Sequence, residues 1–125
     1  IAAVRLGVNE IKGRLPELNK QIGLMEASGH DLEAFAEADI GFHQIIIESV
    51  GNRILENVYS NLQDLIRRCQ LTILQAPNEY RRSIAGHKQI YQELVKGDLL
   101  GAQEAMAKHL RWASEIHQRS RQARE

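Results

Sequence analysis

Between Arg53 and Leu74 the residues Leu55, Val58, Leu62, Leu65, Ile66, Cys69 and Ile73 recur at spacings of three and four, the period of one face of an α-helix and not of a strand. Comparable spacing returns along the chain in Leu15, Leu18, Ile22 and Met25, in Phe35, Phe42, Ile45 and Ile46, and in Ile84, His87, Ile90, Tyr91 and Leu94. Leu99, Ala102, Met106, His109, Leu110, Ala113 and Ile116 form a last apolar series. No segment alternates apolar and polar residues with the valine, threonine and aromatic content of a half-buried strand. The pattern predicts an all-α fold.

Punctuation between these series sets the elements. A first helical piece ends near Gly7, and Asn9 caps a second helix to about Ala27, in which Pro16 either introduces a kink or marks a new first turn. Asp31 caps a third helix, which Gly51-Asn52 ends. The fourth runs from about Arg53 to Leu74 and stops before Pro77, and the fifth runs from about Glu79 to Lys96. Gly97-Asp98 then joins a stop signal to the cap of a sixth. Connections this short favour antiparallel neighbours, so the expected architecture is an up-and-down bundle of about six helices.

At 125 residues the chain is expected to form one domain over 1–125. Lysine plus arginine number 16, as do aspartate plus glutamate, so the chain lacks the basic excess of a domain that grips nucleic acid alone. Arg111, Arg119, Arg121 and Arg124 near the end are interrupted by Glu115 and read as a charged helical face. The lone Cys69 excludes an internal disulfide and is expected to be a small buried hydrophobe. The longest uninterrupted isoleucine run, Ile45 to Ile47, is far too short to span a bilayer, and a cytoplasmic location is the default expectation. The opening IAAVRLG, already helical in composition, reads as the interior of an element in a longer protein.

Chemistry concentrates in AEADIGFHQIII. Asp39 and His43 stand one helical turn apart, which puts an oxygen and an imidazole nitrogen on the same face. His87 and His109 occur on two later apolar faces. All four are expected to point into the bundle, where an isolated ionisable group is costly and a shared cation removes that cost. Three nitrogens and one carboxylate suit zinc, nickel, manganese or iron better than calcium or magnesium, with zinc or nickel favoured. The plainer alternative is that each histidine is a core or boundary residue hydrogen-bonded to a neighbour, and for any single histidine that reading is the stronger. His30 and His117 are weaker candidates, the one in a turn and the other near the charged tail.

An open metal position can activate water or bind a ligand's carboxylate, so a small metal-dependent hydrolase is the alternative function, and a metal-free structural bundle the third reading. Glu37, Glu48 and Glu104 look like surface residues, and Ser49, Ser60 and Ser83 have no evident catalytic partners. No HExxH, phosphate loop or nucleophile elbow occurs. Binding is favoured over turnover.

Three blocks then carry a resemblance: DIGFH at 39 to 43, ESVGNRIL at 48 to 55, and GHKQIYQELVKGDLLGAQEAMAKHL at 86 to 110. In order and interval they resemble the FadR-type C-terminal domain, or FCD domain, of GntR-family bacterial transcription regulators, over nearly the whole chain. The resemblance implies that Asp39, His43, His87 and His109 hold a divalent transition metal beside an effector pocket for a small organic acid. It further implies a homodimer, with operator DNA bound only through a winged-helix domain that precedes the bundle and is not in these 125 residues. Arg68, Ser83 and Tyr91 are the candidate effector contacts; on their own they read as a surface charge, a helix-start hydroxyl and a core aromatic. Trp112 could line pocket or dimer seam, with core packing its plainer role. Two departures stand out. The residue before the second histidine, commonly acidic in the family, is Gly86, and the arginine that the family's first helix often contributes would lie before Ile1. Which metal, which acid, and whether the regulator activates or represses are not written in the sequence.

Overall fold

A computed structural model describes residues 10–29, 31–75 and 78–124. Among these the chain is helical and contains no strand. Five helices have defined bounds: α1 Leu15–Ala27, α2 Leu32–Val50, α3 Arg53–Leu74, α4 Glu79–Lys96 and α5 Leu99–Arg124. They match the second to sixth helices expected from the sequence. The piece expected to end near Gly7, the Asn9 cap, His30 and Pro77 lie outside the described residues.

Local chemistry explains the boundaries. Pro16 sits in the first turn of α1, where its missing N–H is no loss, so it marks a new first turn after the helical residues 10–13. Asp31 Oδ1 accepts from Ala34 N at 3.1 Å and caps α2, and Gly51 ends it with a left-handed φ of 75°. Asn52 then accepts from Leu55 N to start α3. At the next corner Gly97, also at φ 75°, donates to α4 carbonyls, and Asp98 Oδ1 accepts from Gly101 N at 2.8 Å to begin α5.

α1 packs on α2 and α4, α2 on α3, and α4 on α5; α3 also reaches α4 and α5. The two-residue links at Gly51-Asn52 and Gly97-Asp98 join neighbours that touch, so those pairs run antiparallel. Leu18, Ile22 and Met25 of α1, Phe35, Phe42 and Ile45 of α2, and Ile90 and Leu94 of α4 form the core, with Ala102 and Ala105 letting α5 approach. Among the described residues no helix is long and apolar enough to cross a membrane.

α3 departs from expectation. Three of its regular apolar residues, Leu55, Val58 and Leu62, are 40–49% exposed and stand outside the core. The helix meets the bundle through Ile66 of the expected series together with polar residues beside it: Tyr59, whose hydroxyl donates to Ile40 O, Gln63, which donates to Gln44, and half-buried Gln70. Arg67 adds ion pairs to Glu33 and Glu37 of α2. Polar anchors therefore select which face of α3 turns inward.

Candidate metal centre

Asp39 and His43 project from one turn of α2, His87 comes from α4, and His109 from α5. Each offers one ligand atom, and these atoms all lie within 4.8 Å of one another. Asp39 Oδ1 is 2.7 Å from His87 Nε2 and 3.1 Å from His43 Nε2, and the two Nε2 atoms are 3.3 Å apart. Asp39, His87 and His109 are buried and His43 is half-buried. Phe42 sets its edge against both His43 and His87, giving the polar cluster an apolar floor.

One contact fixes the chemistry of the middle ligand. His87 Nδ1 lies 2.7 Å from the carbonyl oxygen of Ser83, which can only accept, so Nδ1 carries a hydrogen and donates it. In neutral imidazole Nε2 is then a bare lone pair, aimed at a carboxylate oxygen and a second imidazole nitrogen. Asp39 Oδ1 and His87 Nε2, 2.7 Å apart, are then two acceptors facing each other, and they repel unless a proton or a cation lies between them. The donor set therefore fits a divalent transition metal, with the Ser83 carbonyl as the outer partner that orients a ligating histidine.

Gln70 was not singled out in the sequence. Its Nε2 donates to Asp39 Oδ2, which leaves Oδ1 for the histidines and assigns the two carboxylate oxygens different partners. Gln70 Oε1 is buried and has no hydrogen-bond partner among the described residues. No motif signals this residue; only its place on the inward row of α3 does.

Electrostatics keep the donors available. Burial works against ionising Asp39, but where protons rather than a cation fill the centre, the charge of His87, the hydrogen bonds then donated by His43 and His87, and the charge of His43 outweigh it and hold the carboxyl well below its ordinary range. His109 is pushed down from 6.5 to about 3, first by burial and then by His87 and His43, with Asp39 opposing. The unfolded chain protonates His109 near 6.5 whereas the folded chain does so only near 3, so its contribution destabilises the fold as pH falls through that interval. Asp39 adds a further loss as pH drops below 3.8 toward its depressed folded value. Metal-free protein should lose stability between pH 7 and 4 with a slope on the order of 1 kcal/mol per pH unit, flattened in His109→Leu. Urea midpoints across that range, flat in the parent, would contradict it.

A cavity of about 490 Å³ opens beside the centre. Asp39, His43 and His109 form one side of its lining, and Ser83, Tyr59 and Gln70 also reach it. Cys69 and Trp112, expected in the core, line the cavity instead. Trp112 stacks on His109 with centroids 5.4 Å apart, and its Nε1 donates to Glu79 Oε2 at 2.7 Å. Leu110, expected on the inner face of the last helix, is exposed at the cavity rim. Of the candidate effector contacts, Ser83 lines this space, while Arg68 is exposed on α3 and Tyr91 packs against the core, both outside the lining. Glu37, Glu48 and Glu104 are exposed. His117 stands apart from the cluster, half-buried.

A helical bundle with a histidine–carboxylate cluster open to an internal cavity defines a ligand-binding class of domain. The model of the FCD domain family matches residues 2–111, and the chain belongs to that family, the FadR-type C-terminal domain of GntR-family regulators. No curated protein matches the chain. Membership gives the domain a regulatory, effector-binding role.

Proposed function

We propose that residues 1–125 act as the sensor half of a GntR-family transcription regulator, binding a divalent transition metal and a small organic acid. Asp39, His43, His87 and His109 are the metal ligands in this reading, with zinc or nickel favoured over manganese or iron. The observation that carries it is the convergence of Asp39 Oδ1 with the Nε2 atoms of His43 and His87 while the Ser83 carbonyl holds the His87 proton on the far nitrogen. When bound, the cation supplies positive charge and open positions for a carboxylate in a site with otherwise apolar walls. The protein's own part is to orient: Gln70 holds Asp39 Oδ2, Ser83 sets the His87 tautomer, and Trp112 covers one face of His109.

The regulator would act as a homodimer in the cytoplasm and meet operator DNA through a preceding winged-helix domain. Effector can shift DNA affinity only if it binds one arrangement of the protein better than another. Glu37, Glu48 and Glu104, the candidate bases, are exposed and are not among the residues lining the cavity, which supports binding over hydrolysis. Elemental mass spectrometry of the purified protein should find near one equivalent of metal, and almost none in a His43→Ala, His109→Ala double variant. A metal-free parent after incubation with zinc, nickel or manganese would refute the metal reading.

A further inference from the structure

The cavity walls narrow the class of acid, taking the metal reading above as the starting point. Away from the centre the lining is dominated by apolar side chains, among them Ile46, Ile47, Leu65, Ile66, Met106 and Trp112. No lysine or arginine among the described residues lines it. Most donors that reach the space are already engaged: the Tyr59 hydroxyl on Ile40 O at 3.1 Å, one of the two Gln70 amide hydrogens on Asp39, and the Trp112 indole N–H on Glu79. Outside the histidines, Ser83 is the lining hydroxyl whose side chain donates to no other described residue. A ligand with a second carboxylate, or with several hydroxyls, would bring acceptors to walls that offer them almost nothing, and a buried unpaired charge is strongly disfavoured.

We propose that the effector is an amphipathic monocarboxylate, with one carboxylate directed to the metal and an aromatic or branched-alkyl body lying in the apolar part of the cavity. With its N–H held by Glu79, Trp112 offers the ligand ring surface rather than a donor. Its stacking on His109, at 29° between planes, continues a flat wall from the centre outward, so a planar body finds a matching face next to its head group. The volume, about 490 Å³, suits a molecule of this size.

Calorimetric titration of the zinc-loaded protein with phenylacetate and 4-methylpentanoate, beside succinate and glutarate, tests the assignment, with metal content measured on the same samples. The apolar monoacids should bind at least ~10-fold tighter than the diacids, because each additional carboxylate meets no partner. Trp112→Ala should weaken phenylacetate by about 10-fold when compared with the parent at equal, measured zinc occupancy. Metal-loaded protein that binds the diacids as tightly, or binds neither monoacid, overturns the proposal. Protein without metal that still prefers the monoacids supports the ligand class while the metal reading fails; without metal and without that preference, both fail.

Discussion

His87→Ala protein should come off a purification column without metal and unfold at markedly lower denaturant than its parent. His87 is fully buried and its ring is in contact with every part of the centre: Nε2 meets Asp39, Nδ1 donates to the Ser83 carbonyl, and the ring stands edge-on to Phe42 and His109 at 4.8 and 4.5 Å. Truncation opens a hole in the interior and removes the buried side-chain hydrogen bond to the Ser83 carbonyl, which keeps its helical donor alone. The two effects together should cost about 3–5 kcal/mol. For the metal, the loss is that of a ligand itself and exceeds the ~10–100-fold that follows removal of an outer hydrogen-bond partner. Elemental analysis and urea titrations with and without zinc measure both. Retention of near one equivalent by this variant would remove His87 from the ligand set.

Gly86→Ala has an effect opposite to its helix propensity. Alanine in the middle of α4 should stabilise a helix by up to about 1 kcal/mol relative to glycine. Here an ideal Cβ at Gly86 would stand 2.4 Å from His109 Nδ1 and 3.2 Å from two carbons of the same ring. That ring is stacked on Trp112 and bounded by His87, so it yields only by leaving its position in the cluster. The variant should keep its helical content but lose about 10–100-fold in zinc affinity, as when a ligand loses its orientation. Gly41→Ala is the control, since its added methyl meets only the flexible end of Gln21. Competition with a chromogenic chelator gives the comparison; equal zinc affinity in the Gly86 variant and the parent would refute the steric argument. A bare backbone here lets an imidazole lie where the family commonly carries an acidic side chain.

The helix ends were legible because they rest on local chemistry: Asp31, Gly51 and the Gly97-Asp98 pair act within a turn of where they stand. The convergence of Asp39, His43, His87 and His109 was legible because the first two share one turn and the spacing to the others resembles a family pattern. The orientation of α3 was not. Periodicity shows that a helix has an apolar face but not how much of it turns inward: on α3, Ile66 and Cys69 of that face do, while Leu55, Val58 and Leu62 give way to the row anchored by Tyr59, Gln63 and Gln70. Arg68 follows from the same rotation: two residues from both Ile66 and Gln70, it points about 200° away from each and so out of the bundle. Gln70 and Trp112 owe their roles to partners 31 and 33 residues distant, Asp39 and Glu79, and no local spacing encodes such pairings.

A cation gripped by α2, α4 and α5 would also be a clasp on the chain. Joining His43 to His87 closes a loop of 44 residues, and joining His87 to His109 closes one of 22. Each closure removes freedom from the unfolded chain, as a covalent cross-link does. The larger loop contains the whole of α3, which supplies none of the four ligands. Among the described residues, the amide of Gln70 on Asp39 is its one hydrogen bond to the centre. α3 is thus pinned at both ends yet unclasped along its length. A molecule settling between the centre and Leu65, Ile66 and Cys69 leans on the one cavity wall the clasp does not hold.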